Sequence, residues 1–223
     1  GLHWRGKPVF QSDRLDRHAQ ALDRLREMDL VYPCFLTRAE LAEVLSAPHE
    51  PPTATDVVLS AEEVARRAGS GMAPAWRLRT AKALELAESP TWLDLRTGSR
   101  RSVDMSAHGD VIVARRDIRT SYHLSVVVDD MIDGVTLVTR GMDLEDSTDV
   151  HRLLQAILEI PAPAYYHHDL VCDEDGQRLA KRHDALSISE LRQSGLSATE
   201  ILSHLPDFAE SAIISSDCSV FSN

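Results

Sequence analysis

Apolar residues recur every three or four positions from Leu15 through Ala19, Leu22 and Leu25 to Met28, the spacing that turns one helix face toward a core. Ser12 stands just ahead of that stripe. Two further helix starts read as a hydroxyl residue followed three positions later by Glu, at Thr37 to Glu40 and Ser60 to Glu63; such a pair exchanges hydrogen bonds with the backbone of the first turn. Gly69 and Gly71 should end the second of these helices. Between them the run APHEPPTAT, Ala47 to Thr55, reads as a loop, because its prolines lack amide protons.

The pattern then shortens. Thr91 to Leu95, Val111 to Arg115, Leu124 to Val128 and Val135 to Thr139 are expected as strands, with turns at Thr97-Gly98 and Asp133-Gly134. Ser147 or Thr148 should cap a helix running through Leu158, and Ser187 with Glu190 and Ser197 with Glu200 should open two more. The whole is an α/β pattern with a β-rich middle and no internal repeat. After Pro206 the segment DFAESAIISSDCSVFSN follows no period and is left as an unassigned tail.

Composition narrows the class. A chain of 223 residues that is 43% hydrophobic can bury one good core. Its apolar runs are only a few residues long, such as Val126 to Val128, which excludes a membrane span, and no charged-then-apolar segment suggests secretion. Cys34, Cys172 and Cys218 are too few and too scattered for a disulfide framework, which favours a reducing cytoplasm; a monomer is expected. The net charge of -11 runs against a nucleic-acid partner, although Arg115, Arg116 and Arg119, or Arg96, Arg100 and Arg101, supply local basic clusters if they are not simply solvated.

Three places carry chemistry. In VCDEDGQRLAKRHDALSISEL, Arg178-Leu179-Ala180-Lys181-Arg182 sets three cations between the Asp175-Gly176 turn and a helix start, a setting that suits a polyphosphate and also describes a solvated loop. Arg140 ends an apolar strand with Gly141 behind it, where open α/β sheets place ligands. Its guanidinium can grip a carboxylate in two parallel hydrogen bonds, or pair internally with Asp143 or Asp130. His167 and His168 are neighbours on an extended run and point to opposite faces, so they do not share a metal ion.

These residues fall in segments with a recognisable cast. Arg178 to Arg182 resembles the KMSKS loop of class I aminoacyl-tRNA synthetases in the KLSKR form of the glutamyl branch. SYHLSVVVDD, Ser121 to Asp130, and GVTLVTRGMDL, Gly134 to Leu144, resemble that branch's AYQLAVVVDD and GVTHVVRGxDL segments. Pro161 to Val171 carries the Tyr165 and His167 of its Pro-x-Pro-x-Tyr-x-His pattern, and QSDRLDRHAQALDRLREMDLVYPCF and Pro74 to Leu78 also fit. Only 41 residues follow Arg182, where full-length glutamyl enzymes carry a helical anticodon-binding region; the short glutamyl-Q tRNA(Asp) synthetase branch is the nearer resemblance.

The resemblance implies a Rossmann-like catalytic core over residues 1–205, lacking its N-terminal part, with an inserted acceptor-end-binding α+β subdomain at about residues 30–110. It implies activation of glutamate by ATP, with Mg2+, to glutamyl-adenylate and transfer to the queuosine base in the anticodon of tRNA(Asp). Lys181 is then the phosphate-stabilising catalytic cation. Arg178, Leu179, Ala180, Arg182 and His167 border ATP, His167 by contact or by packing the loop. Tyr122 and Arg140 contact glutamate, with a core role the alternative for Tyr122. Asp129 and Asp130 match family acids near the site, or are exposed carboxylates at a strand end.

Two departures stand out. Many relatives hold zinc in the insertion with Cys-x-Cys and a later Tyr-x-x-x-Cys, but Cys34 is followed at the second place by Leu36 and no other cysteine precedes Cys172, so no zinc is expected. The HIGH-type signature and the acid that holds the substrate amino group lie upstream of Gly1, so a fragment is expected rather than a natural remnant. Two other readings stay open: a glutamyl-tRNA synthetase catalytic fragment that charges tRNA(Glu), and an inactive nucleotide- or RNA-binding module.

Overall fold

The Leu15 to Met28 stripe folds as expected: after a 3-10 turn at Gln11–Arg14, helix α1 spans Leu15–Glu27 and buries His18, Leu22 and Leu25. The computed structural model describes residues 6–36, 40, 59–171 and 187–203. The Thr37 helix start, the Ala47 to Thr55 loop, the Arg178 to Arg182 loop and the segment after Pro206 lie outside the described residues.

Strand β1 (Val31–Cys34) leads toward helix α2 (Ala61–Gly69), where the Ser60 hydroxyl accepts the Glu63 amide at 3.2 Å and Gly71, at φ +79°, follows the helix end. Then come β2 (Ala75–Leu78), α3 (Thr80–Ala87), the hairpin β3 (Thr91–Asp94) and β4 (Ser99–Ser102), and β5 (Ile112–Ala114). Helix α4 (Tyr122–Asp133), β6 (Leu137–Gly141), α5 (Asp146–Ile157) and β7 (Ala164–His168) follow, and α6 (Ile188–Gln193) and α7 (Ala198–Ser203) close the described chain. The Ser187–Glu190 capping box forms in both directions.

Leu124 to Val128 is not a strand. It lies inside α4, whose start is fixed by Ser121, the hydroxyl of which accepts the Leu124 amide at 3.3 Å. A strand would bury Leu124, Val126 and Val128 on one face; instead Leu124, Val127 and Val128 are each 3% exposed or less, while Val126 is half-buried. That is helical period. Valine's poorer helix propensity costs about 0.5 kcal/mol per residue, against about 1.5–3 kcal/mol for each apolar side chain taken from water. Gly134, at φ +65°, ends this helix rather than turning a hairpin, and β6 starts at Leu137 in consequence.

Two sheets result. One is antiparallel, in the order β1-β2-β5; the other runs β4-β3-β7-β6, with β3, β7 and β6 mutually parallel and β4 antiparallel at its edge. The β6-α5-β7 crossover places α5 beside α4, and Leu124, Val127, Val150, Leu153 and Leu154 join Leu22, Leu25, Leu30, Leu78 and Val113 in one core.

Polar clamps hold this assembly. The carboxylate of Asp110 accepts the Thr80 amide at 2.9 Å, so it caps α3 in place of a neighbouring side chain, and also accepts the Tyr32 hydroxyl at 3.0 Å. Asp129, matched from sequence to family acids near the site or to an exposed strand-end carboxylate, is not at a strand end: it is 8% exposed within α4. It accepts from His18 Nε2 at 3.0 Å and Gln11 Nε2 at 2.7 Å, while Arg14 pairs with Asp133 at 2.5 Å. Removing one partner of such a buried pair strands the other, so Asp129→Ala should lower stability by about 3 kcal/mol in urea denaturation. The neighbouring Asp130→Ala should cost less than about 1 kcal/mol; equal losses would remove the special role given to Asp129.

Candidate active site

Parallel pairing sets β6 and β7 in register with Arg140 opposite His167 and Gly141 opposite His168, at the carboxyl ends of both strands. Here the chain leaves no room behind Gly141: a Cβ there would sit 2.5 Å from Asp143 Oδ1 and 3.0 Å from Leu170 Cδ2.

The Arg140 guanidinium reaches three other elements. Its Nε donates to His167 Nε2 at 3.2 Å, its Nη2 to the Thr148 hydroxyl at 2.6 Å, and its Nη1 to His151 Nδ1 at 3.2 Å and the Tyr122 hydroxyl at 3.4 Å. Thr148 Oγ1 lies 3.0 Å from His167 Nε2, and the guanidinium carbon lies 5.5 Å from the centre of the Tyr165 ring. Tyr122, Arg140 and His167, far apart in sequence, thus form one cluster. Tyr122 is 49% exposed, at the first position of α4, and is not a core tyrosine.

Every group that accepts from Arg140 is neutral. Among the described residues no carboxylate is within ion-pair distance of it, so the internal pairing with Asp143 or Asp130 considered from sequence does not form. Burial, reinforced by the Arg140 charge, pushes the His151 imidazole well below its ordinary pKa. His167 is pushed down to about 4 by burial and then by Arg140; His123 is pushed down to about 4 by burial, with His108 and Arg140 adding to it. Asp130 lies near enough to feel the guanidinium charge but makes no ion pair with it, so the guanidinium can still receive an anion.

Hydrogen-bond logic fixes the tautomers. His151 Nδ1 accepts from Arg140, so its proton sits on Nε2, which donates to His123 Nδ1 at 3.1 Å. His167 Nε2 accepts likewise, which leaves the proton on Nδ1, a buried atom without a hydrogen-bond partner among the described residues.

Sequence reasoning missed Thr148, His151 and His123. Thr148 was expected to cap α5, but that helix begins at Asp146 and Thr148 is fully buried. A signal was there to read: Thr148, His151 and Gln155, at i, i+3 and i+7, form a polar stripe on a helix face that otherwise buries Val150, Leu153, Leu154 and Ile157. Gln155 extends it by donating to the Tyr165 hydroxyl at 2.9 Å. Lys181 and its neighbours Arg178, Leu179, Ala180 and Arg182 lie outside the described residues.

His167 is buried and His168 half-buried on the neighbouring position of β7, as alternation along a strand requires. Among the described residues no group of three or more His, Cys, Asp and Glu side chains is placed to hold a metal ion, and Cys34 is a free thiol. The expected basic clusters are partly matched by acids: Arg96 with Asp169 at 2.6 Å, Arg115 with Asp117 at 2.7 Å, and Arg101 with Glu145. Beside Tyr122 opens a cleft of about 720 Å³ whose lining includes Arg77, Arg115, Arg116, His108, Ser121 and His123.

The catalytic-domain family of class I tRNA synthetases for E and Q matches residues 1–209. The chain belongs to that family. It is 39% identical over 213 residues to a glutamyl-Q tRNA(Asp) synthetase of Rhodobacter capsulatus, covering 90% of this chain and 76% of the relative. A glutamyl-Q tRNA(Asp) synthetase of Nocardia farcinica is 39% identical over 211 residues, covering 93% of this chain and 65% of its own. A Gluconacetobacter diazotrophicus protein named glutamate--tRNA ligase 2 is 36% identical, covering 92% and 46%. The structure of a glutamate tRNA ligase from Elizabethkingia meningosepticum in complex with its amino acid superposes with a TM-score of 0.61 at 23% identity, over 80% of this chain and 38% of that one. The chain thus spans less than two thirds of the length of several relatives, and shares the class I synthetase fold.

The neutral imidazoles of this cluster make stability depend on pH. The unfolded chain takes up histidine protons near pH 6.5, whereas the folded His123 and His167 resist until about 4. Their contribution is complete above about pH 6.5 and is lost as the pH falls toward 4. For the buried His167 the loss between about pH 7 and pH 5 should be about 2 kcal/mol in urea denaturation, and His167→Gln should shrink it. A pH-independent midpoint across that window would contradict neutral imidazoles.

Proposed function

We propose that this synthetase-family chain activates glutamate with ATP and passes it to the queuosine base in the anticodon of tRNA(Asp). The observation that carries the reading is the charge of Arg140, held only by neutral acceptors beside the Tyr122 hydroxyl at the carboxyl ends of parallel strands. The side-chain carboxylate of glutamate pairs with Arg140, and the Tyr122 hydroxyl orients it.

The α-carboxylate of glutamate then attacks the α-phosphorus of ATP, which enters with Mg2+. A carboxyl oxygen–phosphorus bond forms, the bond to pyrophosphate breaks, and glutamyl-adenylate remains. Lys181 follows the charge on the phosphoryl oxygens as a compact ammonium, alongside its neighbours Arg178, Leu179, Ala180 and Arg182. His167 steadies Arg140 and borders the nucleotide. In the second step a hydroxyl of the queuosine base attacks the activated carbonyl carbon, an ester forms, and AMP leaves.

The separate β1-β2-β5 sheet supports reading residues at about 30–110 of a 1–205 catalytic domain as an inserted acceptor-end-binding unit, interrupted by the β3-β4 hairpin. A cytoplasmic monomer without zinc completes the proposal.

A second reading is a catalytic region that charges tRNA(Glu), favoured by the 36% identity to a protein named glutamate--tRNA ligase 2. Glutamate-dependent exchange of labelled pyrophosphate into ATP, run without tRNA, tests the first step, and transfer of labelled glutamate to queuosine-containing tRNA(Asp) or to tRNA(Glu) separates the two. Run on the full-length protein, exchange with labelling of tRNA(Asp) is expected; labelling of tRNA(Glu) alone overturns the queuosine assignment, and no exchange overturns glutamate activation. In the same assay Lys181→Ala should slow adenylate formation by about 100-fold while the KM for glutamate moves less than about threefold. Equal changes in both would remove the role given to Lys181.

A further inference from the structure

Behind the two groups that face the ligand stands a pair of histidines that no part of the proposed chemistry uses. His151 on α5 and His123 on α4 have ring centres 5.2 Å apart and share the hydrogen bond from Nε2 of the first to Nδ1 of the second. The Tyr122 ring packs edge-on against both, at 5.5 Å from His123 and 5.4 Å from His151. One face of the pair thus seats the phenol while the free Nδ1 lone pair of His151 receives Arg140.

We propose that His151, backed by His123, is a positioning residue that aims both Arg140 and Tyr122 and must present Arg140 with an acceptor that carries no charge. An apolar side chain there leaves a guanidinium N–H unsatisfied and the phenol unsupported. A carboxylate there satisfies the N–H but pairs with the guanidinium internally, so the cation meets its ligand already neutralised. An imidazole in the Nε2–H tautomer avoids both outcomes. Of the uncharged side chains, glutamine repeats its pattern best, since its carbonyl accepts from Arg140 while its amide donates to His123.

This inference rests on Arg140 and Tyr122 holding glutamate, and the test separates the two. In glutamate-dependent pyrophosphate exchange, His151→Leu should raise the KM for glutamate about tenfold and leave the KM for ATP within about twofold. His151→Gln should recover to within about threefold of the parent, and His151→Glu should be at least as poor as His151→Leu. Urea denaturation of each variant accompanies the kinetics, because a residue that served only stability would move the unfolding midpoint and both KM values without this ordering. An unchanged KM for glutamate in His151→Leu, or His151→Gln no better than His151→Leu, overturns the proposal.

Nitrogen NMR of the parent protein reads the same claim without activity. A protonated Nε2 and an unprotonated Nδ1 on His151 are expected at neutral pH; the opposite tautomer, or a doubly protonated ring, overturns it. A parent protein that shows this tautomer but no exchange would sink glutamate activation while sustaining the positioning of Arg140.

Discussion

A single guanidinium organises the second sheet. Arg140 sits at the end of β6, yet its hydrogen bonds run to the start of α4, one face of α5 and the adjacent strand β7, so four elements that need not meet are fixed at one point. A half-buried cation is costly unless its protons are satisfied, and here neutral oxygen and nitrogen acceptors do so. The charge survives the folding that partly covers it. Had α4 or α5 supplied a carboxylate in place of Tyr122, Thr148 or His151, the same elements would be held together as firmly and the site would have no net attraction for an anion.

This arrangement explains the uneven legibility of the sequence. The α1 stripe, the Ser60 cap and the capping box at Ser187 were readable because each depends on residues within a few positions of one another. The run Leu124 to Val128 was misread because a short string of valines satisfies both periods, and the decision belonged to the distant core formed with Leu25, Leu153 and Leu154. The shift of β6 and the recasting of the Gly134 turn as a helix end followed from that one error.

At the site, motif resemblance singled out Tyr122, Arg140 and His167, but not their contact. His123 and His151 went unnoticed, since a histidine on an amphipathic helix carries no local mark of what it will face. Thr148 was noticed for the wrong reason: a hydroxyl at a helix start looks like a cap whether it bonds its own backbone or, as here, an arginine eight residues upstream. The net charge of -11 did not decide the partner, because it is a global sum, and the local clusters it left open are partly answered by acids beside Arg96, Arg101 and Arg115.

The route of the chain between its two sheets carries a mechanical consequence. It leaves the antiparallel sheet after β2, forms β3 and β4 in the other sheet, and returns to the first as β5, pairing with the strand it left. A unit spliced in by one exit and one return can swivel about its two necks. A sheet stitched through another by an additional round trip, with Asp110 clasping Thr80 and Tyr32 across the returning segment, behaves more like a laced seam. The returning strand thus ties the antiparallel sheet to the segment that forms β3, which pairs with β7, the strand that carries His167.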